Sequence, residues 1–223
     1  MPFGTHARAS RVTRFGLAWS IVLGLLFSVS ADASAQDRRR DRDLFDSEEL
    51  AVVVAEHMQE FWDDIFVRSD LPYETPIAVL FDSRDRGSTG CGAVETYDYS
   101  WYCIADDTVY LNIDHVEQLR DDESDLYAAV VGVGQPMSLA VLDRVGGLAL
   151  DRTGGADRFS VEAAACLTGV WTAELWYEDI VVTDDVIDVA EGLEDLARYL
   201  PDAYLFGYDE EDPQLCLDAM IPS

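Results

Sequence analysis

Metal, nucleophilic and proton-transfer chemistry each need particular side chains at particular spacings, and this chain is poor in most of them. Beyond residue 35, histidine occurs at His57 and His115, cysteine at Cys91, Cys103, Cys166 and Cys216, and lysine nowhere. A strained serine elbow needs Gly-x-Ser-x-Gly, which does not occur. A Gly-rich phosphate loop needs a lysine that is absent. "DSRDRGSTG" and "YDEEDPQ" offer oxygen ligands without the spacing of a calcium loop. Carboxylate pairs are abundant, but among 44 acidic residues chance pairs are expected. His57 falls beside Val54, Met58 and Phe61 and reads as a histidine packed at the core boundary. His115, in "NIDHVEQL", reads as a solvated or capping-region residue.

One apolar stretch breaks its own pattern. "LYAAVVGVGQPMSL" at 126–139 begins as a buried helix and turns into Gly-Val-Gly-Gln-Pro. A glycine inside a helix costs roughly 1 kcal/mol and a proline about 3 or more. The two glycines and Pro136 therefore predict a kink or break at the centre of this helix.

These residues must be held by a single exported domain. Arg8, Arg11 and Arg14, the apolar run "FGLAWSIVLGLLFSV" and the small residues "ASA" at 33–35 form the three parts of a secretory signal peptide. Residues 1–35 are assigned to that signal and 36–45, "QDRRRDRDLF", to a flexible polar lead-in. Residues 46–223 form one domain, long enough for a real core. No second membrane-length apolar span is read, so the product should be soluble, without a stable span after cleavage, and secreted or periplasmic.

Fifteen Lys+Arg face 44 Asp+Glu, a formal charge of −29. Nucleic acid is excluded as a partner, because phosphate contact needs cations on the protein. Anionic membrane surfaces are disfavoured for the same reason. The charge reads as a solvated acidic surface, with a cationic partner or loosely held divalent ions as alternatives. An even cysteine count in an exported chain predicts two disulfides, and four cysteines allow three connectivities. Cys91 and Cys103 bracket the short "GAVETYDYSWY", which favours a local bridge and leaves Cys166 with Cys216. A zinc site from all four cysteines lacks close paired spacing.

Asp46, with Glu49 three residues on, caps an amphipathic helix carrying Leu50, Val54, Met58, Phe61 and Ile65. "PIAVLF" at 76–81 reads as a buried strand, and "DYSWYC" and "DTVYLNI", aromatic or β-branched with a turn at "IADD" between them, as a hairpin or two edge strands. "DHVEQLRDD" is a short helix, followed by the long interrupted one. "LALDRTGGADRF" is a loop, and Ser160 caps the alanine-rich "VEAAACLTGVWTAELWYED". Thr183 caps "DDVIDVAEGLEDLARYL", which Pro201 ends, and the tail from Asp202 is irregular and tied down by Cys216. The sum is α+β: a small antiparallel or mixed sheet in the first half and a mostly helical, disulfide-stabilised second half.

Cys91-Gly92, Trp101-Tyr102-Cys103, Ala105-Asp106 and Val109-Tyr110-Leu111, in that order, resemble the bacterial neutral zinc metallopeptidases. The likeness extends upstream through "FWDDIF" and downstream to "ACLTGVW" and Cys216, covering roughly 50–218. It implies a zincin-like fold with His-Glu-x-Gly-His on the helix after the Val-Tyr-Leu strand. There two histidines at i and i+4 would bind zinc and the adjacent glutamate would activate its water. The alignment puts Val131, Gly132, Val133, Gly134 and Gln135 on those five positions, so only the glycine is shared. A further glutamate and aspartate of the family fall on Val161 and Ala165. Glu162 is one residue off, about 100° around the helix. The family's late histidine-bearing segment is unrecognisable in "YLFGYDEED".

Zinc is therefore implied by the family while its ligands are missing, and no other cofactor is expected. The reading is an exported pseudopeptidase, without catalytic residues, that binds a peptide or protein in the former substrate cleft. The alternatives are an active metallopeptidase with a displaced site at His57, His115, Glu117 or Glu162, and a structural envelope protein without a ligand.

Overall fold

The structure, a computed structural model, describes residues 46–152 and 154–220. The expected signal peptide and lead-in lie outside the described residues. The first helix, α1 (Ser47–Arg68), starts as its sequence requires: the Asp46 carboxylate accepts the Glu49 N–H at 2.8 Å, and the Glu49 carboxylate accepts the Asp46 N–H at 3.4 Å. Its buried stripe is Ala51, Val54, Ala55, Met58, Trp62 and Phe66, the last stacked on Tyr73.

Five strands follow: β1 (Ile77–Phe81), β2 (Ser88–Thr89), β3 (Gly92–Ala93), β4 (Trp101–Cys103) and β5 (Thr108–Asn112). The main sheet has the order β1-β5-β4, with β1 parallel and β4 antiparallel to β5, so it is mixed. Alternation along β5 sends Val109 and Leu111 into the main core. On the opposite face Trp101 stacks between Tyr97, at 3.9 Å, and its cross-strand partner Tyr110, at 4.8 Å. The Cys91–Cys103 bridge fastens the β2–β3 hairpin to β4 beside that small aromatic core.

Seven helices are described in all. After α1 come α2 (Ile113–Asp122), α3 (Asp125–Arg144), α4 (Arg158–Tyr177), α5 (Thr183–Leu196), α6 (Leu200–Glu210) and α7 (Pro213–Met220). The architecture is α+β, with the sheet early and helices after it, and both disulfides are present, the second joining Cys166 on α4 to Cys216 on α7. Several local expectations are corrected. The tail is helical from Leu200 to Met220 apart from a short turn, and Pro201 stands in the first turn of α6 where it was expected to end α5. Asp157, not Ser160, caps α4, accepting the Ser160 N–H at 2.8 Å, while the Ser160 hydroxyl takes the Ala149 N–H. Thr183 is the first residue of α5, and the exposed Val182 N–H is satisfied by Asp185. Contrary to the reading of no second span, α3 is long and apolar enough to cross a membrane, but 72% of its apolar window is buried in the domain core.

The tail becomes helical because α6 has a partner. A β-carbon on Gly169 of α4 would overlap the Tyr204 carbonyl, and one on Gly207 of α6 would overlap the Cys166 carbonyl. The two backbones therefore cross in direct contact. Gly207→Ala should cost about 1–3 kcal/mol of stability through overpacking, read as a lower urea midpoint at unchanged slope. An unchanged midpoint would refute the backbone crossing.

Candidate functional site

The Gly-Val-Gly-Gln-Pro stretch neither breaks nor ends its helix. Ala128–Gly134 winds as a π-helix inside α3, and the Gln135 N–H reaches the Val130 carbonyl five residues back. Pro136 follows at once, so its missing N–H falls where the ladder returns to α spacing. This is the correction to the expected kink or break: a change of register absorbs the proline. The glycines have a separate reason. A β-carbon on Gly132 would lie 3.0 Å from Val116 Cγ2 and 3.4 Å from Leu119 Cδ1, both on α2. One on Gly134 would lie 2.7 Å from Thr168 Cγ2 on α4. Both permit helices to close on α3, and the α4 contact is sealed by a buried Ser138–Thr168 hydroxyl pair at 2.9 Å.

The positions singled out in the sequence are now placed. Val131 and Gln135, four apart on one face, are half-buried, whereas Gly132 is buried under α2. On α4, Val161 is half-buried and Ala165 fully buried. Glu162 is largely buried, and its Oε1 accepts from the Arg158 guanidinium at 2.8 and 2.9 Å. That guanidinium lies over the Tyr199 ring at 4.5 Å.

Both imidazoles are engaged, and apart. Trp171 Nε1, which can only donate, lies 2.9 Å from His57 Nδ1, so the neutral ring carries its proton on Nε2 and gives it to Glu178 at 3.0 Å. His115 Nδ1 instead accepts from the Ser100 N–H at 3.4 Å, and burial pushes its pKa below the ordinary 6.5. Glu117 is exposed on α2. All four cysteines are bridged. Among the described residues no three His, Cys, Asp or Glu side chains are grouped to hold a metal. The donor set does not fit zinc.

Two arrangements were not foreseen. At the β4–β5 turn Asp107 takes both its oxygens to Arg144 Nη2, at 2.6 and 2.7 Å, while the Tyr102 hydroxyl lies between Asp107 and Asp143 at 2.9 and 2.8 Å. Burial and the two carboxylates push the tyrosine pKa up. A hollow of about 380 Å³ is lined by Glu123, Ser124, Tyr127, Asp188, Glu191, Gly192 and Asp195. Its signal was present as acids at i, i+3 and i+7 along α5.

The sequence profile of the family described as "Putative neutral zinc metallopeptidase" matches residues 12–202. The chain belongs to that family. Among curated proteins, the metallopeptidase-family chain is 24% identical over 198 residues to "Uncharacterized protein YpfJ" of Escherichia coli strain K12, covering 74% of this chain and 68% of the relative. The same figures hold for the protein of that name in Escherichia coli O6:H1. No solved structure matches significantly.

For this metallopeptidase-family chain the packing gives two expected results. Gly132→Glu, which drives a carboxylate between Val116 and Leu119, should lower stability by about 2–3 kcal/mol, whereas Val131→His and Gln135→His should each cost less than about 1 kcal/mol. Urea denaturation checks both; equal losses at all three positions would contradict the packing. The second concerns His115, whose folded pKa is depressed. The unfolded chain then binds the extra proton, so stability present above pH 6.5 is lost as the pH falls below it. His115→Gln should therefore show a smaller stability loss between pH 7.5 and 5.5 than the parent.

Proposed function

We propose that this member of the metallopeptidase family is an exported pseudopeptidase. On this reading residues 46–223 form one zincin-like domain that has given up hydrolysis and serves as a peptide- or protein-binding, regulatory module. The former substrate cleft, along the half-buried Val131 and Gln135 face of α3, is its binding surface. The observation that carries the reading is the donor set. Where the family resemblance assigns two histidines and a general base, the chain has Val131, Gln135 and Gly132, and among the described residues no other group of metal donors converges. Loss of ligands and base together fits a redirected function better than a point lesion. Apolar replacements at Val131, Val161 and Ala165 also strand no charge in the protein, which would otherwise cost several kcal/mol.

Export is supported by the arginine-led apolar leader and by two disulfides, which persist in oxidising compartments. The displaced-site alternative has less support. It would require His57 to leave Trp171 and Glu178, and His115 to leave Ser100.

The test is metal content by mass spectrometry on mature protein refolded with zinc, against a chelated control. The expected content is well below one equivalent, with the same Tm in both preparations and no peptide hydrolysis above blank. Close to one tightly held equivalent, with a chelator-sensitive Tm, would overturn the proposal.

A further inference from the structure

Between Phe159 and Ala197 the chain has no lysine, arginine or histidine, and ten acidic residues. The junction of α4 and α5 also exposes large apolar groups. Trp176 and Tyr177 touch edge to face at 5.1 Å, and both are exposed. Ile180 is 61% exposed, Val182 59% and Ile187 46%. The turn that displays them is fixed: Asp179 adopts a left-handed φ of 59°, and the Ile180 N–H closes onto the Leu175 carbonyl at 2.9 Å. Interleaved with these apolar groups are exposed Glu178, Asp179, Asp184, Asp185 and Asp188.

Asp188 also begins the acid-lined hollow, so the two features share α5. Across the hollow Glu123 and Ser124 face Asp188, Glu191 and Asp195. Its wall is rigid: Tyr127 is buried, donates its hydroxyl to the Gly192 carbonyl at 3.2 Å, and lies where a β-carbon on Gly192 would strike the ring at 2.6 Å. Arg120, the cation preceding Glu123 in sequence, is paired with Asp125 at 2.6 Å. A solvated acidic face has no use for exposed Trp, Ile and Val. A surface of both characters is complementary to a ligand that is both cationic and apolar.

We propose that the α4–α5 junction and the adjoining hollow form a docking surface for a cationic amphipathic segment of a partner protein. The partner's apolar face lies on Trp176, Ile180, Val182 and Ile187, and a lysine or arginine enters the hollow of Glu123, Asp188, Glu191 and Asp195. The chain's own Arg38–Arg42 run is the weaker occupant, because Asp37, Asp41 and Asp43 interrupt its charge and it has no apolar residue before Leu44. Neither Val131 nor Gln135 lines the hollow, and the test of this surface is blind to metal content.

The probe is a fluorescent 14-residue amphipathic helix of leucine and lysine, titrated by anisotropy with the mature chain at 150 mM salt. A shuffled peptide of the same composition is the comparison and should bind at least tenfold more weakly. Ile180→Ser with Val182→Ser, at sites more than half exposed, should weaken binding about tenfold while the far-UV spectrum is unchanged. Asp188→Asn, Glu191→Gln and Asp195→Asn together should do the same. Neutralising Glu48, Glu60 and Asp209, exposed residues elsewhere, should change it less than twofold. Equal losses in the two charge variants, or no loss on removing the apolar pair, would overturn the proposal. So would a tenfold gain on replacing Arg38, Arg39, Arg40 and Arg42 with glutamine, which would mark the chain's own segment as the occupant.

Discussion

Where α3 passes α2 and α4, and where α4 crosses α6, the helices lie so close that a β-carbon would not fit without displacement. Gly132, Gly134, Gly169 and Gly207 occupy those contacts. Each glycine costs helix propensity locally, about 1 kcal/mol, and gives close packing between elements far apart in sequence. The π-helical turn belongs to the same solution, since it passes Pro136 without ending α3 and keeps Val130, Val133 and Met137 in the core. The Cys166–Cys216 bridge adds a covalent tie at the α4–α6 crossing itself, on the residue whose carbonyl faces Gly207.

Charge adds to the burial of Val109 and Leu111 in fastening the sheet to this helical body. Arg144, only 15% exposed at its side chain, joins the last turn of α3 to Asp107 in the β4–β5 turn and to the Glu74 carbonyl before β1. Arg120 and Arg158 likewise hold Asp125 and Glu162. With no lysine, arginine carries all the permanent positive side-chain charge of this acidic chain, and these three sit where a bidentate or shielded contact links elements or a helix start.

Much of this was legible in the residues, for identifiable reasons. Asp46 with Glu49 announces a helix start because both partners lie within one turn. The β4–β5 hairpin is announced by alternation around an acidic turn, and the local Cys91–Cys103 bridge by proximity in sequence. What was not legible depends on distant partners. Pro201 reads as a helix end and the tail as irregular until α4 is present, and Gly132 and Gly134 read as breakers until α2 and α4 are placed. The hollow needs Tyr127 and Gly192, which are 65 residues apart. Local penalties were assessed correctly in kind, but tertiary packing outweighed them.

The same packing distinguishes the two halves of a lost metal site, if the family resemblance is carried onto α3. Val131 and Gln135, at the two proposed ligand positions, are only half-buried, although the Gln135 amide nitrogen is itself buried without a hydrogen-bond partner. Gly132, at the base position, is covered by Val116 and Leu119. A glutamate there would need α2 to withdraw, and α2 is anchored at its start by Asn112 and by continuity with β5, the central strand of the sheet. On that alignment the two proposed ligand positions accept new side chains one at a time, whereas a side chain at the proposed base position has to displace Val116 and Leu119. A protein that had lost only its ligands would lie a few substitutions from hydrolysis. Closure of Val116 and Leu119 over Gly132 adds a repacking of α2 side chains to that path, which is the physical content of the non-hydrolytic role proposed above.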